Sequence, residues 1–210
     1  MTSDWLALGT ALVLGLTHAL EMDHMLAVST FVTHHPTRRA AAGFGARWGL
    51  GHSLAVVLVG TALLLAGASI PARLESTAEA IVGVTLIGLG AWTIRAAGKV
   101  SRAPHHHHPH DRVERRGPGA VGLLHGLAGT GGVMALLPAT LTDRVTIGIG
   151  YLLTFSVGVV AAMTAFAMLA ATLVGGANDR SAVWGPRVSR GLGALAIAVG
   201  AWWIVRALAG

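Results

Sequence analysis

The stretch GLTHALEMDH, Gly15 to His24, puts two histidines and two carboxylates inside a segment that is otherwise apolar. No charged residue occurs at positions 5–16 or 25–32. A charged side chain at the centre of a membrane-spanning helix costs about 3 kcal/mol on insertion scales unless it faces protein, water or an ion. Four ionisable side chains so close together require a shared explanation, and they are His18, Glu21, Asp23 and His24.

A metal site is one such explanation, because imidazole and carboxylate groups together suit first-row divalent cations. The spacing adds a condition. At about 100° per residue on a regular helix, His18, Asp23 and His24 point in three different directions. We therefore predict that the helix is broken here or that another helix completes the site. The alternative is that each group is satisfied separately by its own neighbours.

Composition places the chain among integral membrane proteins. Of its 210 residues, 53% are hydrophobic and only 11% are charged, and without cysteines it can form no disulfide or thiolate metal site. The net charge of +6 could indicate a nucleic-acid partner, but the basic residues lie in segments that flank the apolar ones. Membrane topology explains them better, so no nucleic-acid partner is expected.

Apolar segments of about 20 residues or more predict an all-α, polytopic membrane fold with about six spanning helices. We predict these helices at residues 4–33, 40–68, 74–97, 120–141, 143–174 and 189–207. The first is long enough to be kinked around the motif. Residues 175–187 are predicted to form the last loop.

Basic residues predict the orientation of these helices. The first, third and fifth loops, with the adjoining helix ends, hold twelve of the fifteen Lys and Arg residues, and the opposite side holds three. Because basic loops stay in the cytoplasm, we predict a multi-pass protein of the cytoplasmic membrane with both termini outside.

The two halves of the chain resemble each other. GLTHALEMDH has a counterpart in GLLHGLAGTG at Gly122, which aligns His18 with His125. HSLAVV at His52 weakly resembles FSVGVV at Phe155. We therefore predict an internal repeat.

The predicted domains follow from this repeat. Residues 1–98 and 119–210 each form a three-helix membrane unit, and residues 99–118 form a cytoplasmic His-rich loop. Because each unit has an odd number of spans, the two are inverted, an arrangement that places substrate near the bilayer midplane.

Two further histidines lie within predicted helices. His52, in RWGLGHSLAVV, is the natural third imidazole, although a membrane histidine can instead bond to a neighbouring helix. His125 and Glu21 are weaker candidates, since the neighbours of His125 are glycine and threonine rather than acids. The glycine-rich GLAGTGG that follows His125 could unwind to line a pathway, because glycine permits unusual backbone conformations.

The sequence HHHHPH lies in the polar segment between the units. Clustered imidazoles bind nickel, cobalt, zinc and copper, so this tract is a candidate metal-binding element, with an inert polar linker as the alternative. Its histidines are His105, His106, His107, His108 and His110.

These residues resemble a family. His18, Asp23 and His24 match H-x4-D-H, the signature of the nickel/cobalt permeases (NiCoT) and the wider NicO group, and His52 ends a Leu-Gly-His element like that of the family. The chain looks most like the compact permeases associated with urease. The resemblance implies that His18, Asp23 and His24 bind or select the ion, that His52 cooperates, and that Ni²⁺ or Co²⁺ is the substrate.

The sequence therefore predicts a secondary transporter that imports Ni²⁺ or Co²⁺, is not an enzyme and holds no cofactor. Related exporters also carry a His-rich cytoplasmic loop, so efflux is the alternative direction. A membrane metalloenzyme and a metal sensor or storage protein are alternatives of other classes. Besides the ion and the lipid bilayer, a cytoplasmic nickel chaperone and a second copy of the chain are candidate partners.

Overall fold

The computed structural model describes residues 2–33, 37–99, 117–128, 144–180 and 184–209, and all regular secondary structure in these ranges is helical. Within them seven helices follow one another: α1 (Thr2–His18), α2 (Met22–Val32), α3 (Arg38–Ala66), α4 (Ala72–Lys99), α5 (117–128), α6 (Val145–Arg180) and α7 (Trp184–Ala209).

Four of these helices, α3, α4, α6 and α7, are long and apolar enough to cross a membrane. Helices α1 and α2 together make a fifth candidate span, bent by 53° at the break between them. For the described residues, the prediction of a helical, multi-pass membrane protein is therefore confirmed. The fourth predicted span is described only as far as residue 128, and the His-rich tract lies outside the described residues.

The predicted first helix is broken at the motif. Helix α1 ends at His18, and the N–H groups of Leu20 and Glu21 donate to the carbonyl oxygens three residues back, each at 3.0 Å. Glu21 then has extended backbone, with φ −65° and ψ 152°, before α2 begins. The break turns the chain between the two halves of the motif, which is one of the two arrangements that the spacing predicted.

The prediction of a loop over residues 175–187 is wrong for much of its length, because α6 continues to Arg180 and α7 begins at Trp184. Glycine lowers helix propensity by about 1 kcal/mol but keeps its N–H, unlike proline, so the glycine pair at 175–176 does not end α6. Pro186 is tolerated because it lies in the first turn of α7, where N–H groups have no helical partner.

Polar contacts between helix ends define the relative directions of three helices. Asp4, near the start of α1, accepts hydrogen bonds of 2.7 and 3.2 Å from Arg144, just before α6, so α1 and α6 run parallel. Arg38, at the start of α3, donates to the Thr172 hydroxyl near the end of α6 at 3.0 Å. Helix α3 is therefore antiparallel to α6.

Helices α4 and α7 pack against each other through glycines. Gly83 faces Gly200, and Gly90 faces Gly193, with a carbonyl oxygen where the Cβ of a larger residue would lie. The order of the two pairs makes the helices antiparallel. Small residues let backbones approach closely where lipid provides no hydrophobic drive for association.

Glycines also bring α1 against α6. Gly15 lies against the carbonyl group of Phe155, and Gly158 lies against the carbonyl group of Leu12. No side chain fits between the backbones at these two points. The contact positions the end of α1, and with it His18, beside the middle of α6.

The contact of α5 with α3 repeats this arrangement. Gly122 lies against the carbonyl group of Trp48, and Gly51 lies against that of Gly119. Gly122 corresponds to Gly15 and Gly119 to Leu12, while Trp48 corresponds to Phe155 and Gly51 to Gly158. The two members of each pair are the same number of residues apart in the sequence. Gly126 in turn lies against the carbonyl group of His52, so the contacts advance together along both helices and α5 runs parallel to α3.

Trp48, and not His52, is therefore the structural counterpart of Phe155. The sequence-based pairing of HSLAVV with FSVGVV is wrong by one helical turn. Its likeness rests on serine and valine, which recur along apolar helices and do not define a register.

Buried apolar side chains form two groups on either side of α2. The larger group joins α1, α2, α3 and α6 and includes Trp48, Tyr151 and Phe155. The smaller group joins α2 to α4 and α7 through Leu26 and Leu86 among others. The short helix that carries the second half of the motif is thus enclosed by protein.

Candidate metal site

Four histidines from four helices converge beside the helix break. His18 ends α1, His24 lies in the first turn of α2, His52 lies in α3 and His125 in α5. The ring centroid of His24 is 4.7 Å from that of His18, 5.2 Å from that of His52 and 5.5 Å from that of His125. The structure thus uses both a broken helix and neighbouring helices to bring the predicted residues together.

The cluster is almost sealed from its surroundings. His52 is fully buried, and His24 and His125 are each 2% exposed. The side chain of His18 retains 15% exposure. Polar groups this deeply buried must find partners within the protein or bind something else.

Two of the imidazoles are held by carboxylates. Nδ1 of His24 lies 2.8 Å from Oδ1 of Asp23, and Nδ1 of His18 lies 2.9 Å from Oε1 of Glu21. Because an ionised carboxylate can only accept, Nδ1 donates in both pairs. Each Nε2 therefore keeps a free lone pair, the arrangement in which a carboxylate orients a metal-binding histidine.

The remaining histidines also present free nitrogens. Nδ1 of His125 donates to the carbonyl oxygen of Val121 at 3.2 Å. Among the described residues, no hydrogen-bond partner exists for Nε2 of His18, His24 or His125, or for either nitrogen of His52. An unpaired buried polar atom costs about 1–3 kcal/mol, so these nitrogens are candidate ligand atoms for an ion.

The spacing of these nitrogens suits one ion. Single ligand atoms of His18, His24 and His52 all lie within 4.8 Å of one another. Nitrogens bound to one cation at about 2.1 Å lie no more than about 4.2 Å apart, so shifts of a fraction of an ångström suffice. Asp23 is placed beside them as a charge partner, since its carboxylate already holds His24.

A second group of ligand atoms shares His24. Carboxylate oxygens of Glu21 and Asp23 lie within 4.8 Å of each other and of a nitrogen of His24. A cavity of about 460 Å³ adjoins both carboxylates and reaches Trp202 and Trp203 of α7. The acidic edge of the histidine cluster therefore borders open space.

Two aromatic residues that flank the histidines were not identified from the sequence. Trp48 stacks on His52, with centroids 5.4 Å apart and rings 15° from parallel. The Phe155 centroid lies 5.4 Å from that of His18. Trp48 precedes His52 by four residues, so helical spacing could have placed both on one face. Phe155 comes from a distant part of the chain and leaves no such local signal.

The fold and the site define a multi-pass helical membrane protein with a buried histidine cluster at a helix break. The chain is similar to the urease accessory protein UreH of Bacillus sp. (strain TB-90), with 30% identity over 171 residues, 75% of this chain and 72% of that protein. At this identity and coverage, the chain belongs to the family of urease accessory protein UreH.

A more distant similarity extends to a plant protein. The chain is 27% identical over 176 residues to Chloroplast protein FOR GROWTH AND FERTILITY 2 of Arabidopsis thaliana, covering 79% of this chain and 46% of that protein. No protein-family model and no solved structure matches the chain.

Proposed function

We propose that the chain is a secondary transporter that carries Ni²⁺, with Co²⁺ as an alternative substrate, into the cell across the cytoplasmic membrane. The observation that carries this proposal is the convergence of His18, His24 and His52, with unpaired nitrogens, inside apolar helices. The H-x4-D-H resemblance implies nickel or cobalt. Kinship with a urease accessory protein supports nickel, because the compact permeases that the chain resembles are associated with urease.

Six spans in two inverted three-helix units, residues 1–98 and 119–210, are part of this proposal. The contacts of α1 with α6 match those of α5 with α3, and α4 packs on α7 through reciprocal glycine pairs. Helices α1 and α5 run in opposite directions, as do α3 and α6, and α4 and α7. These directions support inversion, and inverted units bind substrate between them at broken helices.

The acidic edge of the site supplies the approach for a cation. Glu21 and Asp23 border the cavity and attract a hydrated dication, and the imidazoles of His18, His24 and His52 then replace part of its water. These residues are therefore proposed as the ligand set, with Asp23 offsetting the charge of the ion.

The membrane potential is sufficient to drive import. Two charges that move through 100 mV gain about 4.6 kcal/mol, twice the value for one charge. No nucleotide-binding motif occurs in the sequence. Inward movement therefore needs no further energy source, whereas efflux would have to oppose the potential.

Ni²⁺ flux into liposomes tests the proposal. Purified full-length protein is reconstituted with a trapped nickel-sensitive dye, and an inside-negative potential is applied. We expect the wild type to admit Ni²⁺ and His24→Ala and His52→Ala to abolish the flux. Thr93→Val is the matched control, since Thr93 is fully buried but bonds only within α4, to the carbonyl of Leu89.

Two outcomes would contradict the proposal. Undiminished flux through both histidine variants at equal reconstitution would remove the site assignment. Absence of Ni²⁺ and Co²⁺ flux in the wild type would remove the transport function itself.

A further inference from the structure

His18 and His125 occupy matching places in the two matching helix contacts. Each follows, by three residues, a glycine that touches the carbonyl group of an aromatic residue, Phe155 for His18 and Trp48 for His125. Each imidazole also lies beside the ring of that residue. The centroids are 5.4 Å apart for His18 and Phe155 and 5.3 Å apart for His125 and Trp48.

These matching pairs reach the centre of the site from inverted helices, because α1 and α5 run in opposite directions. The ring centroid of His24 lies 4.7 Å from that of His18 and 5.5 Å from that of His125. The centre itself is not duplicated. The counterpart of His52 in the second unit is Val159, which cannot bind a metal.

Only one of the two matching histidines belongs to the three-residue group in this structure. A ligand atom of His18 lies within 4.8 Å of those of His24 and His52, and His125 supplies no atom to that group. Nε2 of His125 is nevertheless buried without a partner. A binding arrangement that used His18 alone would leave this nitrogen unexplained.

We propose that His18 and His125 are alternative third ligands of a single divalent cation that His24 and His52 hold while it crosses from one unit to the other. Phe155 and Trp48 close the two opposite sides of the site. The ion changes sides when one imidazole replaces the other. This inference rests on the proposed transport function and specifies where the ion crosses from one unit to the other.

Such an exchange keeps the cation coordinated while it moves. The ion never has fewer than two imidazole ligands, so it does not cross the apolar interior bare. The exchange also means that neither His18 nor His125 binds the ion permanently. Conduction depends on this, because the site must release an ion as well as bind it. Inverted units provide two such sides around one fixed centre.

Separate measurements of binding and transport test this inference. The five tract histidines are first replaced by serine in every protein, so that the loop binds no Ni²⁺. His18→Ala, His125→Ala and the double variant are then compared with Val159→Ala, which truncates the buried counterpart of His52. Ni²⁺ affinity is measured by titration calorimetry in detergent, and Ni²⁺ flux is measured in liposomes.

We expect each single variant to retain Ni²⁺ binding, because the other three-imidazole set remains, and to lose most of its flux, because the exchange of ligands can no longer occur. The double variant should lose affinity by much more than the product of the single effects, as residues that substitute for one another do. Val159→Ala should retain both binding and flux, which shows that truncation in this core does not by itself disable the protein.

Three results would overturn the inference. Unchanged flux through His125→Ala would show that His125 is not a ligand. Loss of Ni²⁺ binding in the single variant His18→Ala would show that His24, His52 and His125 do not form a second set of ligands. If each single variant loses affinity and the loss in the double variant equals the product of the two, all four imidazoles bind at once. Failure of the transport function is distinguishable, because the protein with both histidines intact would then carry no Ni²⁺, whether or not it binds the ion.

Discussion

Asp23 and Glu21 each hold an imidazole through Nδ1, but they differ in exposure. The Asp23 side chain is 9% exposed, and the Glu21 side chain is 54% exposed. Water screens the charge of Glu21, whereas that of Asp23 acts on His24 and on a bound ion through protein. Asp23 should therefore contribute more to the affinity for a cation.

We predict that Asp23→Asn weakens Ni²⁺ binding by about 10- to 100-fold, the usual effect of losing a carboxylate behind a metal-binding histidine. The amide keeps an oxygen that accepts from His24 but lacks the negative charge. Glu21→Gln is the matched control and should have a smaller effect. Titration calorimetry on protein without the tract histidines measures both. Equal losses in the two variants would contradict the distinction drawn from exposure.

At the scale of residues, the convergence of the candidate ligands could be predicted, but their contacts with one another could not. Four ionisable groups in an apolar run are enough to predict one shared site. The pairing of Glu21 with His18 depends on the turns between α1 and α2, and the position of Phe155 depends on a helix crossing. Neither is encoded by local spacing.

At the scale of elements, the helix break is imposed by packing rather than by local sequence. Ala19, Leu20 and Glu21 are good helix formers, and neither glycine nor proline lies among them. Most helical stability in proteins comes from tertiary contacts, so these contacts can also end a helix that propensity would continue. The need for a break was predictable from the directions of the ligands, whereas its chain position was not.

The close packing of α4 on α7 through glycines can be tested with two substitutions in α4. A Cβ at Gly88 would meet no atom within 4 Å, whereas one at Gly90 would overlap the carbonyl oxygen of Gly193. We predict that Gly88→Ala stabilises the protein by about 0.5–1 kcal/mol, by removing a glycine from a helix interior. Gly90→Ala should destabilise it, because α4 and α7 must separate. Thermal unfolding in detergent compares them, and shifts of the same sign would refute the close crossing.

For the whole molecule, the helical class and the approximate bounds of α3 and α4 could be predicted from hydropathy, whereas the boundary between α6 and α7 could not. The lateral arrangement, with α3 against α6 and α4 against α7, could not. Helices in lipid lack the polar stripe that distinguishes outside from inside in a soluble bundle, so their apolar faces do not show which neighbour they meet. The repeat in the sequence predicts inversion, but it pairs Phe155 with His52 rather than with Trp48.

The charge asymmetry predicts the orientation of the whole molecule. Because the chain has no cysteine, a single introduced cysteine reports one position. We predict that a cysteine at His107 is protected from an impermeant maleimide in intact cells, and that one at Ala209 is labelled. Labelling only at His107 would reverse the proposed topology.

The direction of transport determines what the His-rich tract can do. Under import, a cytoplasmic tract lies beyond the membrane site and captures the ion after release, whereas under export it collects ions beforehand. Because the potential drives a dication inward, we predict that replacing the five tract histidines by serine leaves initial Ni²⁺ uptake largely unchanged, since His18, His24 and His52 remain. Retention of nickel should fall instead. The test measures cellular nickel content and growth at limiting and at toxic nickel. It compares cells that express the wild type, cells that express the variant and cells that express neither protein. If expression of the wild type lowers nickel content and raises tolerance, the protein exports the ion, and the tract then acts before the membrane site rather than after it.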